Sequence, residues 1–212
     1  MKMKIFSLLS PFFLLVTFVA CGTTDSNQKA KQEANNQIKP LATKNLKNAK
    51  RAYIAGGCFW GMEELFRKQK GVLDTEVGYI GGDNQNPTYD NHPGHAEALE
   101  ITYDSTATNF REILDYFYRI HNPTTVDRQG NDRGSSYRSA IFYQNEAEKK
   151  IAQEVIGIVD QSKRWDGKVV TKLEPYVKFW PAEEEHQDYL LKHPNGYTCH
   201  YERFGSFLDR KE

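Results

Sequence analysis

The 212-residue chain carries three cysteines, and each stands in a different setting. Cys21 closes an apolar N-terminal run, Cys58 lies in "AGGCFWGMEE" (55–64), and Cys199 lies in "HPNGYTCHYERFG" (193–205). A thiol attacks as the thiolate, and an unperturbed one is only a few per cent ionised at neutral pH. Cys58 falls where a short apolar stretch passes through Gly56 and Gly57 into a helical pattern. The unpaired N–H groups and positive dipole end of a helix favour an anion at such a place, so the position suits a nucleophile with a pKa drawn down toward about 7. The residue types fit a buried structural cysteine equally, because free Cys packs as a small hydrophobe. Phe59 and Trp60 follow directly, and only one of them fits the buried stripe of a helix. Cys199, in a stretch marked by Gly, Pro and Asn, reads as a loop thiol. One thiol at a helix start and one on a loop suit an attacking and a resolving cysteine, and also suit a structural disulfide.

The elements that must position these thiols follow from periodicity. "AYIA" (52–55) predicts a strand, and Phe59, Met62 and Phe66 recur at helical spacing after it. Strands are expected over 72–80, 98–103, 139–143 and in "KVVTKL" (168–173). A helix over 109–120 would bury Phe110, Ile113, Leu114 and Phe117, and a second, capped by Asn145, would bury Ile151, Val155 and Val159. Pro181 suits the first turn of a short helix in "PAEEEHQDYLLK" (181–192). Two long polar loops, 81–97 and 121–138, interrupt the pattern, and loops of that length in a domain are commonly functional. There is no internal repeat and no regular βα period. The expected fold is α+β with two layers, a mixed β-sheet flanked by helices, long functional loops and an irregular C-terminal tail.

Lys+Arg and Asp+Glu are both 28, so the formal charge is zero, but the charge is graded along the chain. Residues 1–20 carry +2, residues 21–50 carry +4, and the rest carries −6. An acidic domain is poorly suited to phosphate backbones, so no nucleic acid is expected as a partner. "MKMKIFSLLSPFFLLVTFVA" (1–20) has a basic start, a short apolar run and a small final residue, the signature of a secretory signal. The run falls short of the roughly 20 residues a spanning helix needs. Residues 21–50, rich in Asn, Gln, Lys and Thr, read as a flexible polar tether, with the catalytic domain over 51–212.

Four motifs in order, "GCFWG", "NPTY", "GHAEA" and "QGNDRGSSYRSAIF", resemble the A-type peptide methionine sulfoxide reductases, from about Ala52 to the Cys199 region. The resemblance implies that Cys58 attacks the sulfoxide sulfur and becomes a sulfenic acid, with Glu97 of "GHAE" as the acid that assists the departing oxygen. It further implies Tyr89 and Tyr137 as phenol donors, Asp132 as a carboxylate that holds the site, and Phe59 and Trp60 as an aromatic pocket for the sulfur-bound methyl. Cys199 is then the resolving cysteine, forming a disulfide that thioredoxin or a thioredoxin-like protein reduces, with no bound cofactor. Many relatives place this cysteine directly after "GY", whereas here Thr198 intervenes. The resemblance also implies the S-sulfoxide of methionine as the preferred substrate, in oxidised proteins or peptides and also free. "FVAC" is similar to the lipobox of bacterial lipoproteins, with Phe18 where Leu is usual, which implies a lipid on Cys21 and an exported, membrane-anchored enzyme of the cell envelope; a monomer is expected. His95, beside Glu97, reads as a residue that positions the loop.

Two other classes fit parts of the pattern. A cysteine hydrolase would pair Cys58 with His95 or His186 and have no use for Cys199. A lipid-anchored binding module would leave Cys58 unreactive. No metal site is expected, because Cys-x-x-Cys is absent and the histidines are scattered.

Overall fold

A computed structural model describes residues 46–209. Cys21, the expected signal and most of the expected tether lie outside the described residues. A 3-10 turn (Leu46–Asn48) leads into strand β1 (Ala49–Gly56), so residues 46–50, read from composition as tether, belong to ordered elements. The chain then runs through helix α1 (Phe59–Phe66), β2 (Val72–Ile80), β3 (Ala96–Asp104), α2 (Phe110–Ile120), the short strands β4 (Arg128–Gln129) and β5 (Asp132–Arg133), and β6 (Ser139–Tyr143). It closes with α3 (Glu146–Ser162), β7 (Lys172–Pro175), β8 (Phe179–Pro181), α4 (Tyr189–Lys192) and a C-terminal segment without helix or strand.

Six strands form one sheet in the order β7-β6-β1-β3-β2-β8. β6 and β7 run parallel, with α3 between them in sequence, while the other pairs are antiparallel. The sheet is thus mixed and the fold α+β, as expected. One face carries larger side chains, including Ile54, Val77, Tyr79, Leu99, Ile101 and Ile141, and packs with Phe59, Met62 and Phe66 of α1 and with Leu114 and Phe117 of α2. Alternate positions, Tyr53, Ala55, Ala96, Ala98, Ala140 and Phe142, turn to the opposite face, as the period-2 geometry of strands requires.

Both long helices start on asparagine caps. Asn109 accepts a hydrogen bond from the Glu112 amide and Asn145 one from the Glu148 amide, satisfying donors at each first turn. Two expectations are corrected. The strand expected over 168–173 forms over Lys172–Pro175 instead, where it can pair with β6. Pro181 does not start a helix. It ends the edge strand β8, opposite Gly78, where its missing N–H costs no ladder bond. Helix forms only over Tyr189–Lys192, because Asp188 adopts a left-handed conformation (φ 53°) just before it.

Candidate active site

Gly57, with φ 101°, turns the chain from β1 into α1 and makes Cys58 the N-cap of that helix. A side chain at Gly57 would strike Gln129, 2.4 Å from where its Cβ would lie, so the turn is also packed from below. Of the two aromatics that follow, Phe59 enters the core and Trp60 is the one that turns outward, half-buried. Trp60 stacks on Tyr189 at 3.9 Å between ring centroids and lies nearly parallel to Tyr89 at 6.3 Å. His186 completes this wall, accepting a hydrogen bond from the Trp60 indole (3.3 Å) and stacking on Tyr89 (4.4 Å).

Glu97 was expected on a loop, yet it is the second residue of β3 and almost fully buried. Its Oε2 accepts a hydrogen bond from the Phe59 amide at 3.1 Å, which brings the carboxyl to the helix end that carries Cys58. Burial dominates its electrostatics and, with the charge of Asp132, raises its pKa to about 8, against the lowering effects of the Phe59 amide and Tyr137. Most of it is therefore protonated at pH 7. Tyr137, half-buried at the end of a 3-10 turn (Ser135–Tyr137), is kept protonated by burial first and then by the charge of Glu97. Burial and Glu97 likewise raise the pKa of Tyr89.

Cys58 departs from the sequence expectation. Burial first, and the charge of Glu97 second, raise its pKa, against the lowering pull of the Trp60 and Gly61 amides. The helix end stabilises the thiolate but does not outweigh burial in the resting site. The opposing charge disappears when Glu97 is protonated, so a neutral carboxylic acid there is compatible with a thiolate at Cys58.

Asp132 opens β5, and its hydrogen bonds are with the segment of the other cysteine. Its Oδ2 accepts hydrogen bonds from the Tyr197 hydroxyl (3.1 Å) and the Cys199 thiol (3.5 Å). Burial first, then Asp132, raise the pKa of Cys199 to about 12. Cys58 and Cys199 are both free thiols, near enough that the charge of Cys199 raises the pKa of Cys58. The loop bearing Cys199 has no regular structure, yet it is held: Arg203 donates to the Cys199 carbonyl (3.3 Å), and the Arg203 amide donates to the Arg119 carbonyl (2.9 Å).

A family model for peptide methionine sulfoxide reductase matches residues 50–210. The chain belongs to that family. It is 60% identical over 156 residues to the peptide methionine sulfoxide reductase MsrA of Nocardia farcinica, an alignment covering 74% of this chain and 92% of the relative. The reduced form of Mxr1 from Saccharomyces cerevisiae has the same fold, with a TM-score of 0.70 and 35% identity over 76% of this chain and 96% of that one. A second structure of yeast Mxr1, in complex with Trx2, aligns with a TM-score of 0.53 and 28% identity over 78% of this chain and all of that one. Membership in the peptide methionine sulfoxide reductases makes this chain an oxidoreductase.

The hydrolase alternative finds no geometry here. His95 spends its Nε2 on the Asn84 carbonyl (3.0 Å), His186 is engaged with Trp60, and among the described residues no histidine hydrogen-bonds the Cys58 sulfur. Glu183, whose two carboxylate oxygens accept from the Tyr79 hydroxyl (2.9 Å) and the Tyr89 amide (2.8 Å), joins the site without being among the residues expected from the sequence. Tyr189 and Tyr197 do the same. Tyr197 stands two residues before Cys199, so the loop motif itself was the available signal. Glu183 and Tyr189 were hidden in a stretch read as helix.

Proposed function

We propose that the chain reduces methionine sulfoxide through Cys58, with Glu97 as the acid. The Phe59 amide to Glu97 hydrogen bond carries this reading, because it joins a mostly neutral carboxylic acid to the helix end where the nucleophile sits. The Cys58 sulfur attacks the sulfoxide sulfur while Glu97, Tyr89 and Tyr137 hydrogen-bond its oxygen and supply the proton that lets the sulfur–oxygen bond break. The oxygen takes one proton from Glu97 and the one the Cys58 thiol gives up and departs as water, which then attacks the Cys58 sulfur. The sulfur–sulfur bond breaks with its pair going to methionine, Glu97 regains a proton, and Cys58 is left as a sulfenic acid. Phe59 and Trp60 receive the sulfur-bound methyl, a contact that suits sulfur-bearing groups on aromatic rings. The S-sulfoxide, in peptides and oxidised proteins and also free, is the substrate.

Cys199 then displaces the oxygen from Cys58, giving a disulfide and water, with Asp132 and Tyr197 holding the loop. A thioredoxin-like protein reduces the disulfide, and no bound cofactor takes part. The yeast Mxr1–Trx2 complex supports such a partner. The sequence of residues 1–21 supports a lipid anchor and so an enzyme, monomeric on this reading, that repairs oxidative damage in the bacterial cell envelope; an exported enzyme would need a donor on the same side of the membrane.

The test is one equivalent of a methionine sulfoxide peptide added to the full chain without reductant, read by mass spectrometry. Stoichiometric methionine and a Cys58–Cys199 disulfide are expected. Methionine with Cys58 left as a sulfenic acid would remove Cys199 from the cycle, and no methionine at all would overturn the reading.

A further inference from the structure

His200 follows Cys199 directly and is almost fully buried. Its ring spans two partners. Nε2 lies 2.8 Å from the Gly56 carbonyl, and Nδ1 lies 3.5 Å from the Cys199 sulfur. A carbonyl only accepts, so the proton of the neutral imidazole must sit on Nε2, and Nδ1 is left with its lone pair facing the thiol. Burial first, and Arg203 next, hold the His200 pKa down to about 4 despite the Gly56 bond, so the ring is neutral across the physiological range. The seat is built for it. A β-carbon at Gly61 would lie 2.6 Å from Nδ1 and 2.4 Å from the Thr198 hydroxyl, which in turn accepts the His200 amide at 3.1 Å. Thr198, the extra residue between "GY" and the cysteine, thus fixes the turn that places this ring.

We propose that His200 is the general base of the resolving step, a catalytic residue that takes the proton of Cys199 as that sulfur attacks the Cys58 sulfenic acid. The proposal rests on the resolving role of Cys199 given above. In the step the Cys199 S–H bond breaks, its electron pair forms the S–S bond, and the Cys58 S–O bond breaks with its pair going to oxygen. The proton from Cys199 passes to His200 Nδ1, the departing hydroxyl takes one proton from Glu97 and leaves as water, and His200 afterwards returns its proton to solvent, from which Glu97 is recharged. Cys199 is oxidised and Cys58 reduced by the same amount, so no further reagent is needed.

Asp132 is the other acceptor at the thiol, but its role differs. A carboxylate beside the sulfur raises the Cys199 pKa and so opposes the thiolate, and it already accepts the Tyr197 hydroxyl. The imidazole takes the proton only as the S–S bond forms, when the attacking sulfur no longer carries the charge, so no free thiolate has to stand beside that carboxylate.

His200→Gln keeps an amide N–H for the Gly56 carbonyl and removes the basic lone pair. The full chain and the variant are mixed with one equivalent of methionine sulfoxide peptide and quenched over time, with methionine, sulfenic acid (trapped by a 1,3-diketone) and disulfide measured. In the variant, disulfide formation is expected to slow on the order of 100-fold, at least ten times more than methionine formation, with the sulfenic acid accumulating. Equal slowing of both steps, or none, overturns the proposal. Absence of the disulfide in the unaltered protein overturns the resolving role of Cys199 itself, which is a different failure. A measurement on the unaltered protein stands apart from any folding defect: the 15N spectrum of His200 should show a proton on Nε2 and none on Nδ1, and the reverse tautomer overturns the proposal.

Discussion

The backbone amide of Tyr89 donates to Glu183 Oε1 at 2.8 Å, across 94 positions of sequence. One carboxylate therefore ties the long loop that carries Tyr89 to the segment that carries His186 and Tyr189, and through its other oxygen it holds the Tyr79 hydroxyl on β2. The aromatic wall beside Cys58 is set by that carboxylate as much as by packing.

Replacing Glu183 with Ala should cost about 1–3 kcal/mol of stability, because two polar groups lose their acceptor. The larger effect is expected on KM, rising several-fold as Tyr89 loosens, with kcat less affected. Glu183→Gln keeps one acceptor oxygen and should recover part of the loss. Steady-state kinetics and thermal melts of both variants provide the check.

Glu97 gives a pH dependence with a defined sign. Its pKa in the folded chain is about 8, above the ordinary carboxylate range, so its proton favours the folded state below that range. That contribution is lost as pH rises through about 8. Glu97→Gln removes the titration, and its stability difference from the unaltered protein should therefore shift in favour of the variant by on the order of 5 kcal/mol between pH 4 and pH 9. Glu63 is also raised, to about 7, but it is present in both proteins and cancels in the difference. Methionine formation should fall on the alkaline side in the unaltered protein and drop on the order of 100-fold in the variant at pH 7.

Gly61→Ala places a methyl where Thr198 Oγ1 and His200 Nδ1 now pack, at 2.4 and 2.6 Å from its Cβ. The 198–200 turn must move. Turnover driven by a dithiol protein should fall at least tenfold, while one-turnover methionine formation falls much less. A crystal structure of the variant with the turn undisturbed would contradict this account.

Asp115, buried on α2, accepts the Phe207 amide at 2.6 Å and fastens the end of the C-terminal segment. Asp115→Ala leaves that amide unsatisfied, at a cost of about 1–3 kcal/mol. Hydrogen exchange in residues 199–207 should quicken more than in the sheet.

Much of this was legible in the sequence where local pattern and tertiary need agree. β2 and β6 fall where alternation placed them, and Asn109 and Asn145 cap the helices they precede. The failures have physical reasons. Pro181 is compatible with a helix start and with an edge strand, and only pairing with Gly78 decides between them. Glu97 follows a run of loop residues, yet β3 begins one residue before it, so its burial depends on a partner strand that no local window contains. The residue type and helix position of Cys58 announced a favoured thiolate, whereas its pKa depends on how deeply the fold buries it and on Glu97. His200 could not be read at all, since its tautomer is dictated by a carbonyl 144 positions away.

That last bond has a consequence in time. Gly56 belongs to the first strand and His200 to the final segment, so the floor beneath Cys58 is complete only when nearly the whole polypeptide has been delivered. At roughly 5–20 residues per second, synthesis of the intervening chain takes on the order of ten seconds or more. Through that interval Cys58 exists without its neighbours: no buried carboxyl beside it at first, and no Cys199 until the end. On the proposed cycle, a chain truncated before Cys199 would be left with a Cys58 thiol that oxidises without a route back.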